Sequence, residues 1–317
     1  MSGAMALPEG DQDTFLVVGF VCYDLIFTSP HYPEEDSMVR AVDYHKRRGG
    51  NASNSCSVLS QLGAKCELLA PMTTDENAQY MQDDLKASNV AFHNCPIYPE
   101  CMTPFTSIIQ SIASGSRTIM HYRPDGFPET NANDFSKLNL SAYKWIHFEG
   151  RGLPEPLKMI DIIDAWNAKS KKQIPYSVEL EKRAEATKSL ISKGDFVFVA
   201  KEFARYLGYN DALSALNGLA QQVKPGATII VPWGEQGAMA RCSNGEIVSS
   251  KAYSPACIVD TTGAGDTFLA ATIFYLSQNK SVAESIDFGN RIAGAKCGMK
   301  GYSGINDVYS QILKGGK

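Results

Sequence analysis

Two glycines and two aspartates stand at the head of a helical pattern in "DTTGAGDTF", residues 260–268. The stretch follows a short apolar run, Cys257-Ile258-Val259, that reads as a strand end. After it, Phe268, Ala271, Thr272, Tyr275 and Leu276 recur at helical spacing. Strand, glycine turn and helix in that order leave backbone N–H groups unpaired at the helix start, where the macrodipole also favours negative charge. Gly263 and Gly265, on either side of Ala264, let a ligand come close to that backbone. Asp266 then sets a carboxylate beside the anion-seeking turn. A plain phosphate cradle would avoid such an acid. A site that takes up a proton while phosphate charge is held nearby would want one.

Four further stretches carry polar groups at element ends. In "RRGGNASNS", residues 47–55, Gly49 and Gly50 precede Asn51 and Asn54, three apart at a helix start. Two carboxamides there offer donors and acceptors to several hydroxyls, although the same residues also read as turn glycines and a helix N-cap. Asp24, in "GFVCYDLI", falls just past the first strand, where α/β sheets place ligands, and equally where an aspartate caps a turn. Arg117, in "ASGSRTI", has the donors to meet a phosphate, or simply lies on a solvated face. "WGEQGAM", residues 233–239, places Gly234 and Gly237 around a strand-to-strand turn that also reads as a plain hairpin.

Short apolar runs alternate with helical patterns for most of the chain. Runs at 15–20, 66–70, 144–148, 176–180, 196–199 and 228–231 read as buried strands. Helical stretches are expected near 53–62, 77–88, 156–169, 202–207, 211–222, 266–277 and 281–297. This alternation predicts an α/β fold with a mainly parallel central sheet covered by helices on both faces. Residues 21–48 and 103–123 break the rhythm, and "TPFTSIIQSIASGSRTIMHY" reads as a hairpin around Ser114-Gly115-Ser116. The two segments predict a small projecting sheet, serving as a lid or as a dimer surface. Residues 1–13 read as a disordered lead-in without the features of a signal peptide, and 14–317 as one domain.

Composition narrows the class. Of the 317 residues, 44% are hydrophobic and 20% charged, ordinary values for a globular chain. A net charge of −4 supplies no basic footprint for nucleic acid. No apolar stretch approaches the roughly 20 residues that cross a bilayer. The eight cysteines form no CxxC pair and mostly read as small buried hydrophobes, which points to a reducing, cytoplasmic setting. No Walker A loop or dinucleotide fingerprint is present, and the five histidines show no HxxxH spacing.

"DTTGAGDTF", "RRGGNASNS" and "GFVCYDLI" together resemble the ribokinase-type (PfkB) carbohydrate kinases. "YPEEDS", "ASGSRTI", "KWIHFEGR" and "GAKCGMKGYSGI" extend the resemblance to the ketohexose-phosphorylating branch, from about Phe15 to Ile305. That resemblance implies an ATP-dependent kinase acting on the 1-hydroxyl of D-fructose. It implies Asp266 as catalytic base and Gly263, Ala264 and Gly265 as the anion hole. Asp24, Gly50, Asn51 and Asn54 match sugar-binding positions, and Asp36 matches an acid that reaches the sugar of the other subunit in a homodimer. Within its own stretch Asp36 also reads as a turn residue after Pro33. Arg117, Gly234, Glu235, Gln236, Gly237 and Asn290 match the nucleotide side. Mg²⁺ is implied with ATP, and K⁺ among carbonyls of the 260–262 turn and the loop around Ser303. Many of these enzymes carry an N-x-x-E motif that orders Mg²⁺-bound water; the corresponding "VFVAKEFARYLG", residues 197–208, lacks it, so no metal-binding residue is assigned. Another ribokinase-type sugar or nucleoside kinase, or a catalytically weak nucleotide-binding regulator, stands as the alternative.

Overall fold

The computed structural model describes residues 13–315; of the expected lead-in at 1–13, residues 1–12 lie outside the described residues. In chain order the strands are β1 (Thr14–Val18), β2 (Cys22–Ser29), β3 (Asp43–Gly49), β4 (Lys65–Leu69), β5 (Val90–Ala91), β6 (Phe105–Ser111) and β7 (Arg117–Tyr122). They continue with β8 (Tyr143–Glu149), β9 (Tyr176–Leu180), β10 (Phe196–Val199), β11 (Thr228–Pro232), β12 (Ala238–Arg241) and β13 (Ile247–Ser250). The helices are α1 (Asn51–Gln61), α2 (Glu76–Ala87), α3 (Ala132–Phe135), α4 (Glu155–Asn167) and α5 (Lys201–Tyr206). After them come α6 (Ala212–Leu219), α7 (Ala264–Leu276), α8 (Val282–Cys297) and α9 (Ile305–Gly315).

The main sheet runs β13-β12-β11-β10-β9-β8-β1-β4-β5, parallel except where β12 pairs antiparallel with β11 and β13. Its strands are apolar at successive positions because both faces are covered. In β1, Phe15 and Val17 join the core under α1, α7 and α8, while Leu16 and Val18 join the core under α4 and α6. Each large side chain so buried contributes about 1.5–3 kcal/mol. Helix α7 packs between α1 and α8, and every residue from Asp266 to Phe274 is buried. Its apolar residues therefore face several neighbours rather than one.

From β1 the chain steps outward to β4 and β5, then returns to place β8 on the other side of β1. The order reverses there, and ligands in open α/β sheets bind outside the carboxyl ends of strands at such a reversal. The segments that broke the helical rhythm form the expected second sheet, β3-β2-β6-β7. All six residues of β7 are exposed. Two expectations need correction. Cys257-Ile258-Val259 is not a strand: Ile258 and Val259 are exposed, and the Val259 N–H is tied to the Cys297 carbonyl at the end of α8. Held there by the end of α8, the run pairs with no strand among the described residues. Asp24 belongs to β2 of the small sheet, not to the end of the first strand, because the chain turns after Val18 and pairs with β3 and β6. Only four of the eight free cysteines are buried, and Cys257 is exposed.

Candidate active site

The helix-start turn is built as its glycines predict. Gly263 caps α7 in the left-handed conformation (φ 77°), and a Cβ there would overlap the Tyr302 hydroxyl. The N–H groups of Gly263, Gly265 and Asp266 donate to no acceptor among the described residues, whereas Ala264 N–H closes the turn on the Thr261 carbonyl at 3.2 Å. Gly265 is exposed with open space above it. The turn is fixed from below by Asp260, whose carboxylate accepts from Thr262 N–H at 2.9 Å and pairs with the fully buried Lys296 at 3.0 Å. Burial alone would raise the Asp260 pKa, yet Lys296 and Arg47 hold it at about 2.

Asp266 lies in the first turn of α7 and accepts a 2.7 Å hydrogen bond from Asn54 Nδ2. Gly50, with φ 98°, brings α1 in so tightly that a Cβ would overlap the Phe20 carbonyl. Asn51 Nδ2, one residue on, donates to Glu181 at 2.9 Å and to Glu179 at 3.4 Å. The two carboxamides thus serve carboxylates on two different elements, and Asn54 Oδ1 stays buried without a partner. Burial, with the charges of Glu181 and Glu149, pushes Asp266 up to about 7 against the lowering effects of Asn54 and Lys182. Glu179 is raised as well, by burial and by Glu181, Asp266 and Glu149.

The pH dependence follows from these shifts. A base works ionised, so with Asp266 in the role of base that the sequence resemblance implies, kcat/KM is expected to fall about tenfold per unit below an apparent pKa near 7. Stability runs the other way. With its folded pKa above the unfolded value of 3.8, Asp266 favours the folded state at low pH, and that contribution is lost as pH rises toward 7. A rate profile and a denaturation series on wild type and Asp266→Asn check both signs, since the variant should lose the stability slope between those values.

Glu149 ends β8, Glu179 is the last residue but one of β9, and Glu181 and Lys182 follow that strand directly. Glu149 Oε2 accepts from Phe20 N–H at 3.0 Å and Ala52 N–H at 3.3 Å, tying β8 to the chain after β1 and to α1. Arg151 pairs with the same carboxylate at 2.9 Å and lies over the Phe20 ring. Sequence reasoning gave these residues no role. The signal was present as acids at the ends of two adjacent strands, Glu149 in "HFEGR" and Glu179 and Glu181 either side of Leu180 in "VELEK".

Asp24 is buried beside Cys22, which donates to it at 3.4 Å, and burial raises its pKa while Arg47 opposes the rise. Arg117 reaches from β7 to the hydroxyls of Thr261 and Thr262, at 3.1 and 3.2 Å, so it does meet the turn. Gly234, Glu235 and Gln236 form an exposed helical turn between β11 and β12, and Gly237 is buried against the Ser250 carbonyl. Asn290 supports that wall from α8 by donating to the same carbonyl at 3.2 Å. Asp36 stands apart. It occupies an exposed turn with φ 57° and makes no hydrogen bond or ion pair with any described residue. A cleft of about 550 Å³ beside Lys224, Gly226, Arg241 and Asn244 lies at the opposite end of β11 and contains none of these groups.

A doubly covered parallel sheet with a second small sheet, and a buried acid beside a helix-start glycine turn, are the frame of a sugar kinase, a phosphotransferase of ribokinase-like fold. Residues 12–307 match the pfkB family of carbohydrate kinases, and the chain belongs to that family. Over 297 residues it is 41% identical to the ketohexokinase of Mus musculus, covering 93% of this chain and 99% of the mouse protein. Ribokinase from Giardia lamblia superposes with a TM-score of 0.83 at 14% identity, covering 97% of this chain and 100% of that one. An Arabidopsis thaliana ribokinase complexed with ribose and ATP does so at 0.78 and 17%, covering 96% and 99%. Among the described residues, no helix is long and apolar enough to cross a membrane.

Proposed function

We propose that the chain transfers the γ-phosphoryl group of ATP to the 1-hydroxyl of D-fructose. The observation that carries this reading is a buried Asp266 with its pKa raised to about 7, beside the N–H groups of Gly263 and Gly265, which are unpaired among the described residues. Similarity to the mouse ketohexokinase supports the choice of sugar. Asp266 takes the proton of the 1-hydroxyl as its oxygen attacks the γ-phosphorus, and the bond from that phosphorus to the ADP oxygen breaks. The N–H groups at 263–265 hold the charge on the transferring group; Ala264 joins them by releasing Thr261. Asp24, Gly50, Asn51 and Asn54 receive the sugar, and the unpartnered Asn54 Oδ1 is an acceptor suited to a hydroxyl. Arg117 passes from the threonine hydroxyls to ATP phosphate, and Gly234–Gly237 with Asn290 line the nucleotide side.

No group of three or more His, Cys, Asp or Glu side chains among the described residues is placed to hold a metal. Mg²⁺ would arrive with ATP and would neutralise charge on its phosphates, and no residue is assigned to hold it. The Gly301 N–H lies 3.4 Å from Asp260, which brings the 260–262 turn beside the loop around Ser303, the two carbonyl-bearing segments proposed for K⁺. Eight free cysteines suit the reducing cytoplasm. Exposed Tyr44, Phe105, Ile119, Met120 and Tyr122 on the small sheet favour a homodimer joined through it.

ADP release measured with fructose, ribose, tagatose, psicose and adenosine as acceptors tests the reading, with the fructose product identified by NMR. Fructose should turn over best and yield the 1-phosphate. Turnover of adenosine or ribose without any ketohexose, or of no acceptor at all, overturns it. The two asparagines should separate. Asn51→Ala is expected to raise the sugar KM about fivefold or more through one lost hydrogen bond, with the ATP KM little changed. Asn54→Ala should also lower kcat, because it releases Asp266. Equal damage to both substrates by Asn51→Ala would show instead that the start of α1 had collapsed.

A further inference from the structure

Arg47 touches both halves of the proposed reaction centre. On β3 of the small sheet, it places Nη1 3.2 Å from Asp260 Oδ2 and Nη2 3.8 Å from Asp24 Oδ2. Its side chain is 14% exposed and each acid 9%, so solvent screens the three charges weakly. Arg47 Nε is buried and unpaired, and the Asp24 contact is long. The guanidinium is shared between two carboxylates and saturated by neither. Arg48, next along the strand, has a different job: it is fastened to Asp84 at 2.7 Å and to the Ser53 carbonyl at 2.8 Å.

Asp260 has two effects on the turn. Its bond to Thr262 N–H sets the turn's shape, and its negative charge stands three residues before the first of the groups that would receive phosphate. Lys296 offsets part of that charge, and Arg47 offsets more the closer it comes. Asp24 competes for the same cation.

We propose that Arg47 is a positioning residue that makes sugar and nucleotide binding cooperative, an inference that rests on the sugar-kinase reading of Asp24 and of the 263–265 turn. A sugar hydroxyl donating to Asp24 takes over part of that carboxylate's demand for a donor. The guanidinium then closes on Asp260, which repels an incoming phosphate less. By linkage, nucleotide on the turn tightens sugar binding by the same factor.

Calorimetric titration of D-fructose into the full-length protein, with and without Mg²⁺ and a non-hydrolysable ATP analogue, tests this. In wild type the analogue should tighten fructose binding about fivefold or more. In Arg47→Gln that ratio should fall to about one, a change that a merely structural arginine would not produce selectively. Arg47→Lys keeps the charge but not the fork, and should give an intermediate ratio. A wild-type ratio of one, or an unchanged ratio in Arg47→Gln, overturns the proposal. Should Arg47→Gln fail to fold, Arg47→Lys decides, and a ratio equal to wild type overturns it. A wild type that phosphorylates no ketohexose sinks the kinase reading itself, whereas normal turnover with unchanged coupling in the variants sinks only the role of Arg47.

Discussion

Asp266→Asn is expected to lose about 10²–10⁴-fold in kcat while the protein still folds and binds both substrates, the range for removal of a general base. The substitution keeps the shape of the side chain, and the new carboxamide oxygen can still accept from Asn54. What disappears is the capacity to take a proton. Folding should not suffer, because a neutral side chain replaces a buried acid in the field of Glu149 and Glu181, and the melting temperature should hold or rise. Steady-state rates, nucleotide titration and thermal unfolding of the same preparation separate the outcomes. Retention of more than half the wild-type rate eliminates Asp266 as the base; loss of nucleotide binding together with rate shows that the turn itself was damaged.

Mixing two poorly active variants should restore activity if the small sheet joins two subunits as proposed. Asp36 is exposed and unpaired within its own chain, and it lies between β2 and β3 of the sheet that carries the exposed aromatic and aliphatic residues. If it reaches the neighbour's sugar, Asp36→Ala loses a charge-assisted hydrogen bond of about 1.5–3 kcal/mol, roughly tenfold to a hundredfold in sugar affinity. In a mixed dimer of Asp36→Ala and Asp266→Asn, a contact in trans leaves one site with both defects and the other intact. After equal mixing, partial unfolding and refolding, about a quarter of all sites should be wild type in composition. Under low sugar the mixture should exceed the mean of its parents several-fold. Mixed dimers that form and show only that mean place Asp36 in its own subunit's chemistry or in none.

Much of the architecture was legible because its causes are local. Apolar runs of strand length and the helical spacing after them mark six strands of the main sheet and seven of the helices within a few residues of their ends, and two stretches without that spacing mark the small sheet, while β5, β13, α3 and α9 lie outside those signals. The failures are also informative. The run at 257–259 has strand composition, but a strand needs an open sheet edge, and that segment is instead tied to the end of α8. Asp24 reads as following the first strand, yet its place is fixed by pairing of β2 with β3 and β6.

The sequence by itself determined the helix-start turn, the carboxylate beside it and the paired asparagines, because glycine conformation and helix-end polarity are set by adjacent residues. Only the tertiary structure decided how these parts act on one another. Asn54 meets Asp266 across 212 residues, and Glu149 meets Phe20 across 129. Arg117 meets Thr261 across 144. The first two exist because parallel strands with helical crossovers bring remote strand and helix ends to one edge of the main sheet, and the third because the small sheet brings β7 over that edge. The raised pKa of Asp266 has the same origin: it depends on burial under α1 and on carboxylates from other strands, and no short stretch of sequence contains either.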